Sequence, residues 1–302
     1  MVSIQANLFK MYYQFQKRIT PPQKEFDLVK ARAEMESIAK MFKPLARFTT
    51  TPVDVEGVHA EWITPLNVIN KRTVLYLHGG YYLVGSIQSY RNLAGNIANA
   101  AQSRTLIVDY GLAPEHPFPE GLEDAVKAYL WLLAQNIPPE QITLAGDSAG
   151  GGLVLAALLT LRERGMRLPA SAVCLSPSTD LTGSGESWKT NRKKDFVIDP
   201  LFAKQIQLLY LKHDLPTNPL ASPVFADLYG LPPMLIQVGS EEVLLSDATA
   251  LAERAKAAGV EVTLEVWPGM FHIWQFTAPL IPEARQAIDR IGKFIADTSR
   301  NN

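Results

Sequence analysis

Short apolar runs alternate along most of the chain with longer stretches in which apolar residues recur at three- and four-residue spacing. The short runs are typical of buried strands, and the spaced pattern is typical of helices with one apolar face. The pattern predicts strands at 73–77, 105–108, 142–145, 172–175, 234–238 and 262–266. It predicts helices at 90–101, 121–135, 153–164, 247–258 and 282–297. We therefore expect an α/β protein with a mostly parallel sheet and helices on both faces.

Two further segments of alternating pattern precede this region, at 49–55 and 58–63, and a turn at Glu56 and Gly57 joins them into an antiparallel strand pair. The sheet should therefore have about eight strands. Residues 1–48 and 182–219 do not fit the alternation. The first has a helical pattern broken by Pro21 and Pro22, and the second contains an amphipathic helix at about 200–212. Both are placed to cover a site at the edge of the sheet.

The composition suits one large domain, or a core with a small accessory part, since 47% of the 302 residues are hydrophobic and 20% are charged. A formal net charge of −1, with acids and bases interspersed, predicts no binding to nucleic acid or to an anionic membrane. We find no signal-peptide pattern, and the longest apolar helix is too short to span a bilayer, so we expect a cytoplasmic protein without stable membrane insertion. Cys174 lies in an apolar run and is expected to be a free, buried residue.

One serine stands in a G-x-S-x-G frame, Gly146-Asp147-Ser148-Ala149-Gly150, between a predicted strand and a predicted helix. In this context the glycines permit a sharp turn that exposes the serine oxygen at the carboxyl edge of the sheet. The helix N-terminus that follows favours developing negative charge. Ser148 is the candidate nucleophile, and an ordinary glycine-rich turn is the alternative interpretation of the pentapeptide alone.

A serine nucleophile needs a general base and an acid that orients the base. His272 follows the last predicted strand, from where its side chain can reach the sheet edge. The remaining histidines are better explained as surface, packing or loop-fixing residues: His59, His78, His116 and His213. Three carboxylates follow the strand at 234–238, namely Glu241, Glu242 and Asp247. Asp247 falls in the first turn of the next helix, where a carboxylate serves the helix dipole, and spacing does not distinguish Glu241 from Glu242.

Acyl transfer also needs donors for an oxyanion, and a glycine-containing loop follows the strand at 73–77. We expect the backbone N–H groups of Gly79, Gly80, Tyr81 and Ala149 to supply them. We expect no metal and no organic cofactor, because the sequence contains no metal-ligand spacing, no phosphate loop with a lysine and no dinucleotide fingerprint.

These motifs, together with the segment Asp109-Tyr110-Gly111-Leu112-Ala113-Pro114-Glu115-His116-Pro117-Phe118-Pro119, resemble those of the hormone-sensitive-lipase-like branch (bacterial family IV) of α/β-hydrolase carboxylesterases. The resemblance runs from about residue 73 to the C-terminus. It implies an α/β-hydrolase fold and the triad Ser148, His272 and Glu242, with the acid some thirty residues before the histidine. It also implies a small helical cap, formed by residues 1–48 and 182–219, over a catalytic domain that spans residues 49–302.

Two positions depart from the family pattern: Tyr81 stands where a third oxyanion-loop glycine is usual, and Gly111 stands where an arginine is common. Tyrosine resists positive φ and adds a bulky ring near the acyl site. Loss of the arginine is expected to loosen the loop at 109–119. Neither change removes a catalytic group.

The resemblance implies a serine carboxylesterase that hydrolyses short- to medium-chain acyl esters through an acyl-enzyme, with a small-molecule ester as its partner. Two alternatives stay open: an amide or N-acyl hydrolase with the same triad, and a catalytically silent small-molecule binding protein on this fold. A homodimer formed through an exposed edge strand at 262–267 is a further hypothesis.

Overall fold

A computed structural model describes residues 2–20, 25–69 and 72–298, so the predicted break at Pro21 and Pro22 lies outside the described residues. The strands are β1 (Phe48–Val55), β2 (Val58–Pro65), β3 (Thr73–Leu77), β4 (Arg104–Val108), β5 (Ile142–Asp147), β6 (Ser171–Leu175), β7 (Met234–Gly239) and β8 (Val262–Trp267). They form one sheet in the order β1-β2-β4-β3-β5-β6-β7-β8. The β1–β2 and β2–β4 pairs are antiparallel and the other pairs are parallel, which confirms the predicted sheet.

Helices fill the connections between these strands. They are α1 (Ile4–Ile19), α2 (Leu28–Ala39), α3 (Ile87–Ala101), α4 (Glu120–Ala134), α5 (Ala149–Glu163), α6 (Ser187–Thr190), α7 (Ala203–Leu211), α8 (Leu245–Ala257) and α9 (Pro282–Thr298). Short 3-10 turns occur at Pro139–Gln141, Pro223–Phe225 and Trp274–Thr277. Helix α3 begins before its predicted start because the side chains of Ser86 and Ser89 form a capping box.

Side chains that alternate along the buried strands pack into two apolar clusters on opposite faces of the sheet. In β3, Leu75 and Leu77 join residues of α4, α5 and α8. Val74 and Tyr76 join residues of α3 and α9. Cys174 is free and fully buried in the first cluster, as predicted. Two covered faces leave the carboxyl edge of the parallel strands as the place for a site.

The segments that did not fit the strand–helix alternation lie beside this edge. Residues of α1, α2 and segment 182–219 line the cavities described below. The division into a cap and a catalytic domain stays a prediction, as does a homodimer through β8, which lies at one end of the sheet. Within the described ranges, no helix combines the length and the apolar character needed to cross a membrane.

Candidate active site

Ser148 forms the entire turn between β5 and α5. Its backbone has φ 52° and ψ −119°, a sparsely populated conformation that costs on the order of 1–3 kcal/mol and persists only where neighbouring contacts fix it. Here the Ser148 N–H donates to the carbonyl of Leu175 at 2.8 Å, and its own carbonyl accepts from Ser178 N at 2.9 Å. A side chain at Gly150 would collide with the Leu77 carbonyl, so glycine is required where α5 packs against the end of β3. The turn holds the Ser148 Oγ at the sheet edge.

The structure brings the predicted nucleophile, base and acid into one hydrogen-bonded line. The Nε2 of His272 lies 3.0 Å from Ser148 Oγ, and its Nδ1 lies 2.7 Å from Glu242 Oε2. Because an ionised carboxylate only accepts, Nδ1 carries the proton of the neutral imidazole, and Nε2 is left to accept from the serine hydroxyl. His272 is 7% exposed and Glu242 is fully buried, so both contacts are shielded from water.

The other oxygen of Glu242 is also held. Its Oε1 accepts from Ser176 Oγ at 2.8 Å and from the Gly239 N–H at 2.6 Å. Segment 182–219 fixes the backbone of the same loop, because Asn191 Nδ2 donates to the Glu242 carbonyl at 3.0 Å and Asp195 Oδ2 accepts from Val243 N at 2.9 Å. Ser176, Asn191 and Asp195 were not identified as site residues from the sequence. Ser176 carried a usable signal, since it directly follows β6 at the carboxyl edge of the sheet.

The two carboxylates that competed with Glu242 have other partners. Glu241 forms an ion pair with Lys10 of α1 at 3.1 Å. Asp247 Oδ2 accepts from the backbone N–H groups of Thr179 and Asp180, and its Oδ1 accepts from the Trp188 indole. Burial raises the pKa of Asp247 to about 7. Of the three carboxylates, Glu242 is the one in contact with His272.

One predicted oxyanion donor must be corrected. The N–H of Gly79 donates to Asp147 Oδ1 at 3.0 Å, and the same oxygen accepts from the Tyr76 hydroxyl at 2.8 Å. Because this N–H is already committed to a carboxylate, we remove Gly79 from the predicted oxyanion hole. The residue still anchors the loop, since a side chain there would collide with Asp147. Burial raises the pKa of Asp147 to about 7.

The remaining residues of the oxyanion loop have positive φ, a backbone conformation that tyrosine resists. Gly80 has φ +111°, and a side chain there would collide with the Val84 carbonyl. Tyr81 and Tyr82 have φ 58° and 63°, so tyrosine takes the left-handed conformation without a third glycine. The Tyr82 ring stacks on Tyr210 of α7 with centroids 3.9 Å apart, a contact that helps to hold the strained backbone. Among the described residues, no acceptor takes the N–H of Gly80, Tyr81 or Ala149.

The loop at 109–119 is anchored although it lacks the usual arginine. The Gly111 N–H donates to Asp124 Oδ2 at 2.9 Å, and a side chain at Gly111 would collide with His116. From α2, Arg32 reaches across to Glu115 at 2.7 Å and to the Ala113 carbonyl at 3.1 Å. These contacts tie the loop to α2 and α4 without an arginine at position 111.

Two cavities open beside Ser148, and Tyr81 lines both. The first cavity, of about 520 Å³, lies between the start of α5 and helix α7. The second cavity, of about 410 Å³, lies between α1, α2 and the loop that carries His272. Apolar side chains dominate the walls, including Leu181, Ile198 and Ile206 in the first, and Phe9, Phe196 and Phe271 in the second. Their volumes fall in the range of small-molecule sites.

Three of the other histidines have local partners. His59 and His116 are exposed and lie 3.0 Å from Asp109 and 2.8 Å from Glu120, respectively. His78 is buried, and its ring stacks between Tyr90 and Tyr110 below the oxyanion loop. In the part of the chain that the structure describes, no group of three or more histidine, cysteine or carboxylate side chains could hold a metal ion.

The charge environment of His272 predicts an acid limb in the pH profile. Burial by itself lowers the pKa of His272, but the hydrogen bond and charge of Glu242, with the charges of Asp195 and Asp147, outweigh it and raise the pKa above 6.5. Protonation of Nε2 removes the acceptor for Ser148. We therefore expect kcat/KM to fall about tenfold per pH unit below a midpoint that lies above 6.5.

Ester hydrolysis measured from about pH 5 to about pH 9 checks this profile. Circular dichroism at each pH controls for unfolding. Because burial also raises the pKa of Asp147 to about 7, the Asp147→Asn variant separates the two groups. The acid limb should persist in this variant and shift to a slightly lower pH, since the Asp147 charge contributes to the raised pKa of His272. A wild-type midpoint clearly below 6.5 would contradict the prediction.

Known proteins resemble this chain over most of its length. A sequence profile for the alpha/beta hydrolase fold matches residues 74–276. An acetyl-hydrolase of Streptomyces hygroscopicus is 50% identical over 243 residues, covering 80% of this chain and 81% of that protein. An esterase of Acinetobacter venetianus is 35% identical over 277 residues, covering 91% of each chain.

Solved structures extend this similarity to the whole fold. A crystal structure of an esterase from the bacterial hormone-sensitive lipase family is 45% identical in sequence, with a TM-score of 0.93 over 99% of both chains. The esterase EstE5, in a crystal soaked with p-nitrophenyl butyrate, is 42% identical, with a TM-score of 0.94 over 99% of both chains.

Proposed function

Since the chain belongs to the hormone-sensitive-lipase branch of the alpha/beta hydrolase fold family and is a carboxylic ester hydrolase, we propose that it hydrolyses short- to medium-chain acyl esters through an acyl-enzyme on Ser148. The observation that carries the proposal is the line of contacts from Ser148 Oγ through His272 to Glu242. A base within hydrogen-bond distance of a hydroxyl nucleophile, itself oriented by a carboxylate, is the arrangement that activates serine.

In the proposed first step, Ser148 Oγ attacks the ester carbonyl while His272 Nε2 takes its proton. Glu242 holds the imidazole in the required tautomer and stabilises its positive charge. The N–H groups of Gly80, Tyr81 and Ala149 donate to the oxyanion, and each such donor is typically worth about 10²–10³-fold in rate. The imidazolium then protonates the departing alcohol, and the acyl group stays on Ser148. Water repeats the attack with His272 as base, which releases the acid.

The position of His272 supports one assignment of the acyl and alcohol parts of the ester to the two cavities. The imidazolium must lie next to the leaving oxygen, and His272 lines the second cavity, so the alcohol part of the ester occupies that side. The acyl chain then extends into the first cavity, toward α7. Apolar walls on both sides favour uncharged esters.

Release of nitrophenol from p-nitrophenyl esters, acetate through palmitate, tests the proposed function. We expect turnover that is highest for short- to medium-chain esters. A folded protein that turns over none of them would contradict the proposal and favour the amide-hydrolase or binding-protein alternatives.

Matched tryptophan variants in the two cavities test their assignment. Ala203 of α7 lines the first cavity and Met35 of α2 lines the second, and both are partly exposed, so a larger ring can enter without rebuilding the core. Ala203→Trp should lower kcat/KM for the decanoate ester relative to the acetate ester by about tenfold or more.

Met35→Trp is the matched control. It should leave the decanoate-to-acetate ratio near that of the wild type and lower kcat/KM for acetates of bulky alcohols. The opposite pattern in the two variants would exchange the roles of the cavities.

A further inference from the structure

Helix α1 carries a continuous apolar stripe on the face that points away from the protein. The six residues of this stripe are each between 57% and 76% exposed: Ile4, Leu8, Met11, Tyr12, Phe15 and Ile19. At 3.6 residues per turn they occupy an arc of about 100°. The opposite face of α1 carries Phe9 and Tyr13, which line the second cavity. The helix is therefore apolar on two sides, and burial within the protein explains one of them.

A cluster of exposed cations lies at the C-terminal end of this stripe. The basic cluster consists of Lys17 and Arg18 of α1 with Arg192, Lys193 and Lys194 of segment 182–219. The two parts meet, since four of these residues line one depression and Gln14 Nε2 donates to the Lys194 carbonyl. Within the described ranges, none of the five cations forms an ion pair with a carboxylate, and Asp199 is the acidic residue in the depression.

We propose that the apolar stripe of α1 and the basic cluster together dock on an anionic lipid surface. A helix with an exposed apolar face and adjacent Lys and Arg side chains binds in the plane of such a surface, with its apolar side chains inserted and its cations at the headgroups. Exposed apolar surface of this continuity marks an interaction site.

The basic cluster favours an anionic lipid surface over another copy of the chain. A second copy that covered the stripe with its own α1 would offer these cations no acidic residue of that helix, whereas anionic headgroups complement them. The net charge of −1 conceals this cluster, because the compensating acids lie elsewhere on the chain. The expectation that the chain does not bind an anionic membrane rests on the net charge, and the net charge does not describe the charge of this face.

Docking has a consequence for access to the site. The inner face of α1 lines the second cavity, so a surface that binds the outer face is one helix away from the space beside Ser148. Esters that partition into lipid would then be concentrated close to the cavity that leads to Ser148. This last step rests on the proposed esterase function, and the docking itself does not.

Co-sedimentation with vesicles tests the proposal. Dialkyl ether phosphatidylglycerol and dialkyl ether phosphatidylcholine vesicles present anionic and zwitterionic surfaces without a cleavable ester. We expect the full chain to partition at least ~10-fold more strongly onto the anionic vesicles, and less strongly at high salt because salt screens the cations. Leu8→Gln/Phe15→Gln should lower this partitioning at least ~10-fold. The matched control Leu66→Gln/Leu280→Gln changes residues of similar exposure elsewhere and should stay within about twofold of the wild type.

The basic cluster has its own variant, Arg192→Gln/Lys193→Gln, which should weaken binding to the anionic vesicles and leave binding to the zwitterionic vesicles unchanged. No sedimentation with anionic vesicles, or an equal loss in the control, would overturn the proposal. So would a dimer in light scattering that Leu8→Gln/Phe15→Gln dissociates, since a second copy would then cover the stripe. Turnover of p-nitrophenyl acetate by each variant reports separately on the hydrolytic site.

Discussion

Replacement of Ser148 by alanine should lower kcat/KM for p-nitrophenyl esters by about 10⁵–10⁶-fold. The attacking oxygen and its hydrogen bond to His272 are both lost, and no other hydroxyl contacts Nε2 in the described part of the chain. The residual rate should reflect substrate binding and the oxyanion donors, which the substitution leaves in place. Fold stability should change little, because the contacts that fix this turn involve the backbone of residue 148.

Kinetics and covalent labelling together measure this loss. A p-nitrophenyl phosphonate should add one phosphonyl group to the wild type, on the peptide that contains Ser148, and none to Ser148→Ala. Ser37→Ala, an exposed hydroxyl on α2, serves as the matched control and should retain wild-type turnover and labelling. Retention of turnover in Ser148→Ala, with labelling at another residue, would refute the assignment.

The second large effect is expected for Glu242→Gln, which should lower kcat by about 10⁴-fold. The amide preserves the volume of the side chain, but its NH₂ group can face His272 Nδ1, and the imidazole then carries its proton on Nε2. In that tautomer Nε2 cannot accept from Ser148. The contacts of Oε1 with Ser176 and Gly239 add to the effect, because the amide cannot satisfy both ends as a carboxylate does.

The neighbouring carboxylates supply matched controls for this substitution. Glu241→Gln breaks the ion pair with Lys10 at a partly exposed position, so kcat should stay within a few-fold of the wild type. Asp247→Asn should lower the melting temperature and leave most of the activity of the folded protein, because its partners are backbone groups and Trp188. An equal loss in Glu241→Gln and Glu242→Gln would contradict the assignment of the acid.

The strand pattern could be predicted well because every central strand is buried on both faces and therefore appears as a mainly apolar run. The start of α5 was predicted four residues late. Three consecutive glycines, Gly150 to Gly152, have low helix propensity, and what makes them helical is close packing against Leu77, Pro177 and Ser178. Such contacts involve residues that are distant in the sequence, so local helix propensity cannot predict them.

The residues of the candidate site could likewise be predicted only in part. Ser148 and His272 could be found because each stands in a loop at the end of a strand, and topology brings such loops to one edge. The acid was ambiguous from spacing, because direction within a loop depends on contacts such as the Gly239 N–H to Glu242. Gly79 was assigned to the oxyanion for a related reason: the sequence places a glycine in the loop, and only the fold turns its N–H toward Asp147.

The two cavities that meet at Ser148 have a stereochemical consequence. During attack, the acyl arm, the alcohol arm, the oxyanion and the serine oxygen occupy the four directions around one tetrahedral carbon. When the cavities and the N–H donors fix three of these directions, the serine oxygen can approach only one face of the carbonyl. A chiral centre next to that carbon then presents its substituents to different walls in each enantiomer. Which enantiomer is hydrolysed faster would therefore depend on where α1 and α7 lie relative to the turn at Ser148.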